Sequence, residues 1–203
     1  MDGIADLESL RAHFGEMTAI AAHKTMPGLD RYSRAFISLS PFLVLATADG
    51  DGGVDASPRG DAPGFVAMRD DTMLIIPDRP GNRRVDSFSN VIRQPGIGLI
   101  FFVPGFNETL RVNGTSRVIT DEILLAPLEA QDKVPATGLL VSITEVFFHC
   151  GKALIRSKLW DSSRHIARDS FPSLGRIVAD QTAVMNVEAA EQFVETSYRE
   201  KLY

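Results

Sequence analysis

The stretch that decides the fold is Phe42-Leu43-Val44-Leu45-Ala46-Thr47-Ala48, then Asp49-Gly50-Asp51-Gly52-Gly53, then Val54-Asp55-Ala56-Ser57-Pro58-Arg59. A compact apolar run meets five residues that tolerate positive φ, and an alternating run follows. That is the pattern of a β-hairpin. On the return strand Val54, Ala56 and Pro58 share one face, while Asp55, Ser57 and Arg59 share the other. The oxygen-rich spacing of Asp49, Asp51 and Asp55 also invites a calcium-loop reading. The twelfth position of such a loop is Gly60, where a Glu is required, so the tip of a hairpin is the better reading.

Working outward, Phe65–Met68 and Met73–Pro77 read as two more short strands joined by Arg69-Asp70-Asp71-Thr72. Ile97–Val103 is apolar on both faces, as a central strand is. Glu108–Ile119 alternates, and Leu139–Phe148 is a last long strand. Helical spacing is expected in an N-terminal helix running from Leu7 through Leu10, Phe14 and Met17 to Ala21, ended by Pro27-Gly28. It is expected again over Arg31–Leu39, from Asn82 to Arg93, and from Asp121 to Ala130. A C-terminal helix should carry the stripe Val187, Ala190, Phe193, Val194 and Tyr198. Six or seven strands, mostly hairpin-connected, with helices at the ends and in two crossovers, predict an α+β chain built on an antiparallel barrel, with a sandwich as the competitor.

Composition bounds the rest. The chain has 203 residues, 44% of them hydrophobic, and a net charge of −5. That length suits one domain with its own core. We expect N-terminal helices over about 5–39, the barrel over about 40–165 and a helical tail over about 166–203. The acidic balance argues against a nucleic-acid surface built on bulk positive charge. No apolar run suits a membrane span, and residues 1–25 lack a signal-peptide layout, so a soluble cytoplasmic protein is expected. One cysteine, Cys150, rules out an internal disulfide. No metal site is expected: His13 and His23 are ten residues apart, and His149 beside Cys150 makes two ligands at most. There is no phosphate-cradling glycine loop and no nucleophile elbow.

One local feature points to a ligand. Asn82-Arg83-Arg84 opens a predicted helix, with Asn82 as its N-cap. Two arginines in a first turn face the positive end of the helix dipole, an unfavourable placement unless an anion joins them. They could also point to solvent or to Asp78 and Asp86, and spacing alone does not choose between these. Ser57 and Arg59, on one face of a neighbouring hairpin, could complete a phosphate pocket.

Several motifs together resemble the FMN-binding split-barrel superfamily, the pyridoxamine 5′-phosphate oxidase-like group, in one of its uncharacterised subgroups. They are Ser40–Thr47 and Asp55–Phe65, then Ile76–Arg84, Leu99–Gly105 and Glu108–Gly114, and last His149–Ala153 with Arg156–Trp160. Their shared order covers about residues 35–165. The resemblance implies a six-stranded split barrel working as a homodimer, with FMN in clefts between subunits. By position it assigns the FMN phosphate to Ser57, Arg59, Asn82, Arg83 and Arg84. Ile76 and Pro77 would lie along the flavin ring, and Lys158 and Trp160 would be lent to the partner's ring. The function implied is an FMN-dependent oxidoreductase of a small organic substrate. A non-catalytic flavin-binding or redox-sensing protein, or a split barrel using F420 or heme, are the alternatives. The tail lacks the Arg-x-His segment that holds substrate in authentic pyridoxamine phosphate oxidases, so the vitamin substrate is not expected.

Overall fold

The computed structural model describes residues 3–203. The hairpin forms as its sequence dictates: β1 (Phe42–Ala48) pairs antiparallel with β2 (Val54–Gly60), from Phe42 opposite Gly60 to Ala48 opposite Val54. Asp49 closes the tip, its Oδ1 accepting the N–H groups of Asp51 and Gly53 at 2.8 Å each. Gly50 and Gly52 take the positive φ that the tip requires. Leu43 and Leu45 of β1 are fully buried. The polar face of β2, Asp55, Ser57 and Arg59, is partly buried, and its apolar face is exposed. That inversion of the usual pattern sets aside the inner face of β2 for something other than core packing.

The remaining strands are β3 (Ala67–Met68), β4 (Met73–Pro77), β5 (Gly96–Phe102), β6 (Thr109–Ile119) and β7 (Gly138–His149). They form one antiparallel sheet in the order β2-β1-β5-β6-β7-β4-β3. The α+β class is as expected, and the seven strands fall within the six or seven read from the residues, one more than the six that the resemblance implies. β3, at two residues, is shorter than the predicted Phe65–Met68. The ladder is open, running from an edge at β2 to an edge at β3. Its bend lies in β6, where the register with β7 shifts between Asn113 and Gly114. A Cβ at Gly114 would fall 2.0 Å from the carbonyl oxygen of Ser142, so only glycine allows the two strands to meet there.

The main core lies on one face of the sheet. Leu99, Phe101, Leu110, Val112, Val141 and Val146 pack with Phe36 and Ile37 of α3 (Arg31–Leu39). Each such side chain contributes about 1.5–3 kcal/mol by leaving water. The start of α3 is fixed by a reciprocal cap in which Asp30 and Ser33 bond each other's backbone N–H. A smaller cluster, Ile75, Ile119, Leu125, Leu128 and Leu140, fills the opposite face.

The helices depart from expectation in three places. The single N-terminal helix is two, α1 (Leu7–Phe14) and α2 (Ala19–His23), because Gly15 at φ 74° ends the first and Thr18 caps the second. Neither buries a residue, so their apolar stripe faces outward. The helix expected from Asp121 to Ala130 is α5 (Glu122–Leu125) and then a 3₁₀ turn over Ala126–Leu128, where Pro127 cannot donate to an α-helical ladder. α4 (Asp86–Arg93) starts four residues later than predicted. α6 (Lys152–Ser157) follows β7, and α7 (Leu174–Thr182) and α8 (Val187–Glu200) form a closely packed hairpin. A Cβ at Gly175 would lie 2.6 Å from the backbone of Glu191, which explains the glycine. Of the predicted α8 stripe only Ala190 is buried, while Phe193 and Tyr198 are exposed. Among the described residues no helix is long and apolar enough to cross a membrane.

Candidate functional site

The inner face of β2 meets the first turn of α4. Asp55 Oδ2 accepts hydrogen bonds from Ser57 Oγ and from Ser87 Oγ, both at 2.8 Å. Arg59 Nη2 donates to Ser87 Oγ at 3.3 Å, and its Nη1 donates to the carbonyl of Pro58 at 2.8 Å. Ser87 is buried. Burial pushes the Arg59 guanidinium below its ordinary pKa, against the opposing charges of Asp78 and Asp55. Yet none of the ion pairs among the described residues includes Arg59. A guanidinium has five N–H donors, so most of those on Arg59 remain to be satisfied.

The basic turn lies elsewhere than its spacing suggested. Asn82 is not the cap of α4, and Arg83 and Arg84 are not in its first turn. The capping residue is Val85, in the left-handed region at φ 53°, and it makes no side-chain cap bond. The reason is electrostatic: Asp86 takes the first turn, where a negative side chain suits the dipole, and the arginines stay in the loop before it. Asn82 Oδ1 instead accepts the N–H of Arg84 at 3.0 Å, shaping a local turn. Arg83 also holds a positive φ of 62°. Two left-handed non-glycine residues within three positions, one of them β-branched, hold this loop in a strained shape. Arg84 Nε pairs with Asp86 Oδ2 at 2.8 Å on the surface. Arg83 takes part in no ion pair among the described residues.

The other predicted site residues divide. The Ile76 side chain sits in the main core and its backbone pairs with Leu139, and Pro77 is buried opposite Gly138. Lys158 is exposed in the left-handed region, just after α6. Trp160 is partly exposed, and its indole N–H donates to the carbonyl of Phe106 at 2.7 Å. Within one chain the described hydrogen bonds and ion pairs connect neither residue to the cluster around Arg59. The structure therefore gathers Ser57 and Arg59, with the Asn82–Arg84 loop leading into the helix that carries Ser87, and leaves Lys158 and Trp160 in a separate group.

A second polar centre was not foreseen. Arg79 Nε meets Asp61 Oδ2 at 2.6 Å, with the side chains only 17% and 4% exposed, and Arg79 Nη2 donates to the carbonyl of Leu128 at 2.9 Å. Tyr203 Oη donates to Asp61 Oδ1 at 2.7 Å, and Arg79 lies 5.7 Å from the centre of the Tyr203 ring. Burial alone would raise the Asp61 carboxyl. Hydrogen bonds from Tyr203, the Ala62 N–H and Arg79, with the charge of Arg79, outweigh it and hold Asp61 below the ordinary carboxylate range. Arg79 is thereby committed, and it does not join the basic loop it precedes. Alongside is a pocket of about 270 Å³ walled by Asp78, Arg79, Lys133, Thr137 and Tyr203. Burial raises the pKa of Asp78, opposed by the Thr137 hydroxyl at 3.3 Å and by the charges of Arg59 and Arg79. Asp78, which lines this pocket, thus also feels the charge of Arg59. Asp61 and Tyr203 are 142 residues apart, and no local pattern announces their contact.

The family model described as pyridoxamine 5′-phosphate oxidase matches residues 29–150, which span all seven strands. None of the curated proteins matches the sequence significantly. Solved structures with a similar fold include HupZ from Group A Streptococcus, at 16% identity and a TM-score of 0.49, covering 59% of this chain and 93% of that one. General Stress Protein 26 from Bacillus anthracis is similar at 12% identity and a TM-score of 0.43, covering 56% of this chain and 88% of that one. A Clostridium acetobutylicum protein related to general stress protein 26 has 14% identity and a TM-score of 0.44, over 59% of this chain and 86% of that one.

Proposed function

Because the chain belongs to the pyridoxamine 5′-phosphate oxidase family, we propose that it binds FMN and acts as an FMN-dependent oxidoreductase of a small organic substrate. The observation that carries this reading is Arg59, a partly buried guanidinium with unused donors and no carboxylate in ion-pair contact. The donor set around it suits a phosphate monoester: one fixed arginine, the hydroxyls of Ser57 and Ser87, and two loop arginines. In the free chain those donors satisfy one another's neighbours, with the hydroxyls on Asp55 and Arg84 on Asp86. A phosphate has the charge and the acceptor oxygens to take them over, and arginine suits it by bidentate donation. Asn82 shapes the turn that presents Arg83 and Arg84.

Bound FMN supplies the hydride- and electron-carrying ring, which is why such a site needs no side-chain nucleophile. The chain's part is to bind, orient and shield. Arg59 would hold the phosphate end from the strand, with Arg83 and Arg84 of the loop before α4 as further donors. The backbone near Pro77 bounds the inner wall. Lys158 and Trp160 serve the flavin of a second copy, so the working unit of this reading is a homodimer with sites between subunits. Its support is apolar surface left open by one chain, including Val54 on β2 and Ile155 and Leu159 at α6. On this reading the substrate is a small organic molecule other than pyridoxamine phosphate, since residues 151–203 carry no Arg-x-His segment.

The double variant Arg83→Ala/Arg84→Ala tests the clamp by FMN titration of the purified protein. Charge-assisted hydrogen bonds contribute about 1.5–3 kcal/mol each, so affinity should fall at least about tenfold. Unchanged affinity would remove the loop from the site.

A further inference from the structure

The chain's own Tyr203 sits on groups that form a recognition site for a phenol. Its hydroxyl donates to Asp61, a carboxylate 4% exposed that is already fixed by Arg79 and by the N–H of Ala62. Its ring lies by the Arg79 guanidinium, a cation–π placement. Its carbonyl oxygen accepts from Lys133 Nζ at 2.6 Å. Lys201 and Leu202, which lead to it, are exposed, so this stretch after α8 is held through Tyr203. The site does not depend on the tail for its assembly: Arg79 is positioned independently by Asp61 and by the carbonyl of Leu128. Tyr203 also walls the 270 Å³ pocket, so withdrawing its ring would enlarge a cavity that already exists.

We propose that this centre is a binding site for small hydroxyaryl molecules, and that Tyr203 is its displaceable intramolecular ligand. An external phenol donates to Asp61 and places its ring against Arg79, competing with the tail. Once seated it shares a pocket wall with Asp78. Its occupancy does not require flavin to be bound.

The test is chemical rescue in the chain of residues 1–203. Tyr203→Ala should lower Tm by about 4 °C, in the range one lost anchoring contact gives for a domain of this size. Millimolar 4-methylphenol should restore at least half of that loss, saturably. Toluene, which has the ring and no hydroxyl, should restore none. The wild-type protein should need at least tenfold more 4-methylphenol for the same rise in Tm, because its tail competes. Tyr203→Phe, which keeps the ring and loses only the Asp61 bond, should respond at intermediate concentrations. Equal effects of 4-methylphenol and toluene, or equal sensitivity of all three proteins to 4-methylphenol, would overturn the proposal. All measurements are made without FMN, so failure of the flavin reading leaves this result interpretable.

Discussion

Arg59→Gln separates binding from folding. In the structure the Arg59 guanidinium is partly buried, donates to Ser87 and Pro58, and forms no direct ion pair. Its replacement by glutamine relieves the desolvation of a cation, leaves Ser87 its bond to Asp55 and strips no carboxylate of a contact partner. The folded, flavin-free protein should therefore be nearly indifferent, within about 0.5 kcal/mol or roughly 2 °C in Tm. FMN affinity should behave otherwise. Losing a bidentate, charge-assisted contact to phosphate costs about 1.5–3 kcal/mol, which is a rise in Kd of about 10- to 150-fold. The assay pairs a flavin-fluorescence titration with thermal unfolding of the flavin-free protein. A large fall in Tm with FMN affinity within threefold of wild type would refute the reasoning, because Arg59 would then be a structural cation and not an anchor.

Arg79→Met should be far more damaging, at about 3–5 kcal/mol in urea unfolding, since it leaves Asp61 as an uncompensated buried charge. The same pair sets an acid limit. Asp61 is held below its ordinary value of 3.8, so its contribution is present above that pH and is lost as the pH falls through the depressed folded value. In Arg79→Met burial dominates and the depression of Asp61 is lost, so its share of the fall in stability on acidification should disappear, as a pH series of urea midpoints would show. Gly114→Ala should cost about 3 kcal/mol, because its Cβ meets the Ser142 carbonyl at a bend that β6 and β7 cannot open. A loss below about 1 kcal/mol in equilibrium unfolding would mean that the bulge accommodates a side chain.

Much of this architecture was legible because its signals are local. The Asp49–Gly53 tip, the two faces of β2 and the extent of α3 follow from turn chemistry and period. What escaped was set by distant contacts. The insertion of β7 between β6 and β4 is a pairing decision that no single segment encodes. The N-terminal stripe looked like one helix because apolar spacing ignores Gly15, whose positive φ ends the first turn sequence. Asn82 looked like a cap on residue type alone, whereas the dipole favoured a start at Asp86 and left the arginines in a left-handed loop. Ser57, Arg59 and the basic turn were visible as candidates from residue type and family resemblance. Ser87 was not, since a single serine on the buried face of a helix carries no signal until the strand opposite it is known. Arg79 lies just before the basic turn in sequence, and only the fold shows it bound to Asp61 and against Tyr203.

The central claim is that this chain holds FMN, and the visible absorbance spectrum of the purified protein tests it most directly. The spectrum is taken before and after FMN is added and the excess removed by gel filtration. The account predicts a flavin band that co-elutes with protein at the volume of a dimer. Protein that emerges colourless under both conditions would contradict it.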